Sequence, residues 1–145
     1  MTTAEHLDTI DRLRGREFPA EPVGSGGRRS GPGYHLVQVG RAEDIWEDGG
    51  SGRAAAADQV TAEYGALVQA LEARWGEAQR FSVTSIRHRG IEGEAIPEPW
   101  AEVSGTTDHV HTWQVEGRWL VAYAALWDGG EPYALMAGVT VVDPP

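Results

Sequence analysis

The chain contains no cysteine. Disulfides, thiolate metal sites, a cysteine nucleophile and thiol-based redox sensing are therefore excluded. Lysine and asparagine are absent as well, so all 12 basic residues are arginine, a bias expected of a GC-rich bacterial genome and not of a mechanism. No apolar run reaches the roughly 18 residues of a membrane-spanning helix. The opening "MTTAEHLDTIDRL" carries acids where a secretion signal would carry a basic segment and then an apolar one, so the expected address is cytoplasmic, with no membrane contact. Positive charge is scarce: 12 arginines against 22 acids leave a net charge of −10. No basic run is dense enough to follow a phosphate backbone, so nucleic acid and anionic membranes would be repelled by most of this surface. A basic protein partner, a cation or a neutral small molecule would not be.

Complete catalytic signatures are also missing. Ser82, Ser85 and Ser104 all lie outside a G-x-S-x-G elbow. The glycines around Arg28 and Arg29 match neither phosphate-binding loop pattern. The acidic stretch "GRAEDIWEDGGSG" lacks the ligand spacing of an EF-hand and reads as a solvated loop holding Trp46. Acid pairs such as Glu92 with Glu94, or Glu98 with Glu102, are what any acidic chain supplies by chance.

What is present describes an ordinary globular domain: 145 residues, 41% hydrophobic and 23% charged. Residues 1–18 predict an N-terminal helix, with Thr2 and Glu5 as a capping box, Leu7, Ile10 and Leu13 on one stripe and Gly15 as its stop. Residues 19–33 are rich in proline and glycine and predict a flexible linker. Residues 34–145 form the body. Its strongest element is a helix over 53–75, in which Val60, Tyr64, Leu67, Leu71 and Trp75 make one apolar stripe closed by Gly76. Strands are expected at 34–39, 80–88, 109–115, 119–127 and 133–142, the last three as an antiparallel meander. The fold class is therefore α+β: a mostly antiparallel sheet of about five strands, one long helix packed on a face, and a tethered N-terminal helix.

The helix ending "LEARWGEA" and the run "WQVEGRWLVAYAALWDGGEPYAL" are similar to small, acidic, uncharacterised actinobacterial proteins. The resemblance spans roughly residues 60 to 140 and implies the same α+β fold. It brings no activity with it.

Chemistry concentrates in "TDHVHTW". Residues two apart on a strand share a face, so His109, His111, Trp113 and Val115 point one way while Val110, Thr112 and Gln114 point the other. A two-residue turn at Glu116-Gly117 sets His111 opposite Ala122 and Trp113 opposite Leu120; a bulge at Gly117 shifts the pairing by one. A metal site needs a third ligand, for which His88 is the candidate, with Asp108 or Glu116 as a carboxylate. His109-x-His111 followed by Glu116 and Gly117 resembles part of the first cupin motif, but no histidine follows His111, so the second motif cannot form. No metal site is assigned and no cofactor is implied. Arg87, His88 and Arg89 make a small basic island that reads as a solvated strand end.

Six tryptophans are present. Trp75, Trp113 and Trp119 read as packing between sheet and helix, and Trp46 and Trp100, in loops flanked by acids and prolines, as interface anchors. The leading expectation is a non-enzymatic protein-binding or regulatory protein, of the immunity or adaptor kind, whose partner has a basic surface or is a second copy. The alternative is a small-molecule or metal-binding enzyme built on His88, His109 and His111.

Overall fold

The structure, a computed structural model, describes residues 2–25, 27–41, 51–127 and 130–145. Helix α1 (Thr3–Arg14) begins at the expected capping box: the Glu5 amide donates to Thr2 Oγ1 at 3.2 Å, and the Thr2 amide donates to Glu5 Oε2 at 3.4 Å. Two of the helix's otherwise orphaned N-terminal donors are thereby satisfied. Ile10 and Leu13 are buried against the sheet, so this chain covers the α1 stripe itself and no second subunit is needed to do so.

Strands β1 (Val23–Ser25) and β2 (Arg28–Gly31) follow, and then β3 (Tyr34–Arg41). The hairpin β1–β2 corrects the expectation of a flexible linker over 19–33. Proline and glycine content says nothing of cross-strand partners, and here the partners exist: Ser30 Oγ bonds His35 Nδ1 at 2.6 Å across the β2–β3 pair. Gly31 is glycine because the Tyr34 ring lies over it; a Cβ there would stand 2.5 Å from the ring. Residues 42–50, with Trp46 and its neighbouring acids, lie outside the described residues.

Helix α2 (Ser51–Trp75) buries Val60, Leu67 and Leu71 completely and Tyr64 and Trp75 partly, the stripe expected from the sequence. It ends at Gly76, whose φ of 89° reverses the chain at a cost that only glycine avoids. Then come β4 (Gln79–Ser82), α3 (Thr84–Ile91), α4 (Trp100–Thr106), β5 (His109–Val115), β6 (Arg118–Leu126) and β7 (Pro132–Thr140). The strand expected over 80–88 therefore stops at Ser82. Val83 and Ile86, three residues apart and both buried, form the inner edge of α3, so its apolar content follows a helical period.

Among the described residues, seven strands form one sheet in the order β1-β2-β3-β7-β6-β5-β4, with every neighbouring pair antiparallel. All five expected strands are in it, and the β1–β2 hairpin brings the number to seven. The β5–β6 connection is the two-residue turn, with Glu116 at φ 53° and Gly117 at φ 78°, and it sets Trp113 opposite Leu120 and His111 opposite Ala122. The sheet has helices on both faces. On one, α1 and α2 close over Val37, Val39, Leu120, Ala122, Leu135 and Val139. On the other, α3 and α4 pack Val83, Ile86, Trp100 and Val103 against Val110, Val121 and Tyr123. Strand β6 is buried almost throughout because both its faces are covered, which its unbroken apolar run reflects. Among the described residues, no helix is long and apolar enough to cross a membrane.

Candidate functional site

The His-x-His pair lies on β5, facing α2. His111 is half-buried, and its Nδ1 lies 2.6 Å from Tyr64 Oη, which also donates to the Ala122 carbonyl at 3.0 Å. The two rings meet edge to face at 5.3 Å. Burial holds the Tyr64 phenol above its ordinary pKa, so the hydroxyl stays protonated and bridges an imidazole on β5 to a backbone oxygen on β6. Burial, with the Arg80 charge as the second cause, lowers the His111 pKa and keeps that ring neutral. His109 is exposed two residues away.

The third ligand expected from the sequence does not join them. His88 sits exposed on α3, which packs on the opposite face of the sheet, so His88, His109 and His111 do not converge. The carboxylates proposed beside them are held by arginine: Asp108 pairs with Arg87, and Glu116 with Arg14. Among the described residues, no group of three histidines or acids is placed to hold a metal ion. Strand alternation was legible in the sequence; the change from strand to helix at Thr84, which carries His88 away, was not.

Trp113 packs as expected. It is buried, and its indole donates to the Gly76 carbonyl at 2.9 Å, tying β5 to the end of α2. Trp100 corrects the interface expectation: it is fully buried and donates to the Val142 carbonyl at 2.9 Å. Its flanking acids and prolines suggested a loop, yet Trp100 opens α4 and anchors that helix to the sheet. The basic island is structural. Arg87 donates to the carbonyls of Ser104 and Thr107 at 2.7 and 2.8 Å, and Arg89 pairs with Glu94.

A more open concavity lies elsewhere. Helices α1 and α2, of 12 and 25 residues, close their face, whereas α3 and α4, of 8 and 7 residues, leave part of the other face bare. Between the β1–β2 hairpin and α4 this opens a groove of about 510 Å³. That volume lies within the range of ligand sites, about 300–1,000 Å³. Leu36, Ala125 and Met136 supply its apolar floor, the Arg29 side chain and the β2 backbone at Arg28 line one side, and Glu102 and Thr106 of α4 line the other, with Gln38 and Tyr133 completing the polar lining. Arg29 Nη1 reaches across to Glu102 Oε2 at 3.2 Å. Beneath them Tyr123 is fully buried and held protonated chiefly by its burial.

Sequence reasoning missed this site because its residues come from five separate segments and none forms a motif. The local signals were Arg29 among the glycines of the stretch read as a linker, and Gln38, a polar residue on the face that Tyr34 and Leu36 bury. No family model matches the chain, and no curated protein and no solved structure matches it significantly.

Proposed function

We propose that this chain acts by binding and not by catalysis, engaging another protein through the groove on the open half of its sheet, in the manner of an immunity or adaptor protein. The observation that carries this reading is the lining of the groove. Arg29, a glutamine, a threonine and tyrosines surround an apolar floor, and among the described lining residues Glu102 is the single acid. Such a set recognises a shape and a charge, but it supplies neither a nucleophile beside a base nor the paired carboxylates of a hydrolase. The net charge of −10 supports a partner whose surface is basic and disfavours nucleic acid.

The test uses Gly24, which lines the groove and where an added Cβ would meet only Arg28 O and Arg29 Cγ, both at 3.7 Å. Gly24→Phe therefore fills the groove without forcing the strand apart. A partner captured by the wild-type chain should be lost by Gly24→Phe at an unchanged melting temperature. Its capture should also weaken as salt rises from about 50 to about 500 mM. Capture indifferent to both would remove the reading.

A further inference from the structure

We propose that the groove receives a carboxylate joined to an apolar body, the C-terminus of a partner polypeptide, and that Glu102 is the internal stand-in for that carboxylate on Arg29. The proposal rests on the groove being the binding surface. The Arg29–Glu102 pair joins β2 to α4 across the groove, with the two side chains 65% and 33% exposed. An ion pair so open to solvent is held weakly, and an incoming carboxylate exchanges with it at little cost. A terminal carboxylate brings both oxygens to the guanidinium fork at once and so competes well with a single Glu102 oxygen.

Charge points the same way. Arg29 is the cation on the groove face of β2, with Glu102 as its partner, whereas Arg28 stands opposite Val37 and faces the α1–α2 side. Leu36, Ala125 and Met136 lie on the adjoining floor, where the last side chain of a polypeptide would rest, and Gln38 and Tyr133 offer hydrogen bonds to its final peptide groups. The rim is exposed at Gly24, Gly27, Arg28 and Arg29, so the remainder of a longer chain can leave the groove. A C-terminal carboxylate is also present on a basic protein, so the Arg29 contact and the acidic surface around it can engage the same partner.

The experiment uses the full chain and a pool of hexapeptides, immobilised by their N-termini and randomised at the last three positions, in free-acid and C-terminal-amide forms. Free acids with an apolar last residue should be bound at least about tenfold more tightly than their amides, the worth of one charge-assisted hydrogen bond. Arg29→Gln should weaken the free acids by about the same factor. Glu102→Gln should tighten them several-fold by freeing Arg29, and should leave the amides unchanged. A pair with only a structural role would weaken binding, or leave it alone, in both variants. If amides bind as well as acids and Gly24→Phe abolishes both, the carboxylate assignment is wrong and the groove reading stands. Should Gly24→Phe move neither, the groove itself is not the binding surface; no retention of either pool overturns the proposal.

Discussion

The two faces of the sheet are built from the same strands and end in different states. On the α1–α2 face, long helices bury Leu67, Leu71 and Trp113 in a continuous apolar layer, and even a histidine, His6, is shut in at 1% exposure with neither ring nitrogen hydrogen-bonded. On the α3–α4 face two short helices pack tightly around Trp100 and then stop, leaving Met136 half-buried beside Arg29 in an open groove. The difference teaches that coverage, not strand composition, decides which face can bind. A sheet face is available to a partner where the helices above it run out.

Removing the anchor of each face should break this contrast most sharply. Trp100→Ala should cost about 3–5 kcal/mol and Leu67→Ala about 2–5 kcal/mol, read by urea denaturation. Their functional consequences should diverge. Trp100 holds α4, whose Glu102 and Thr106 form one side of the groove, so Trp100→Ala should also lose peptide retention under conditions where it stays folded. Leu67→Ala should keep it. Equal loss by both would mean that the groove is not built by α4 in particular.

Acid provides the next contrast. Burial lowers the pKa of His6 from its ordinary 6.5, with the nearby Glu63 opposing the shift; burial likewise lowers His35 and His111, and all three belong to or border the closed face. As pH falls below 6.5 the unfolded chain takes up these protons before the folded chain does, so stability drops there, whereas above 6.5 the rings are neutral in both states and add no pH dependence. Each such histidine can contribute a slope of up to about 1.4 kcal/mol per pH unit. His6→Leu should therefore flatten the loss between roughly pH 6.5 and 5, as followed by melting temperature. An unaltered slope would show that His6 is hydrated in the native state.

The smallest expected effect sharpens the open side. Met136 is half-buried on the groove floor, so Met136→Ala should cost about 1 kcal/mol or less, well below Leu67→Ala. A denaturation midpoint shifted as far as that of Leu67→Ala would mean that the groove is filled.

Local pattern was enough for the elements that carry their own signals. The capping box at Thr2 and Glu5, the stripe from Val60 to Trp75 and the meander from His109 to Thr140 all formed where spacing and propensity placed them. A turn needs only its own two residues, so Glu116-Gly117 allowed the β5–β6 register to be written down as one of two choices before the fold was known. Long-range partners settled the rest. Gly31 and Ser30 read as linker until Tyr34 and His35 paired with them, Trp100 read as exposed until Val142 received its indole, and His88 read as a ligand until α3 took it to the far face of the sheet. The groove belongs wholly to this second kind. Arg29 and Glu102 stand 73 positions apart, and nothing in the neighbourhood of either announces the other. Secondary structure arises from interactions a few residues long that a sequence displays directly, while a binding surface is made of distances across space that the fold alone creates.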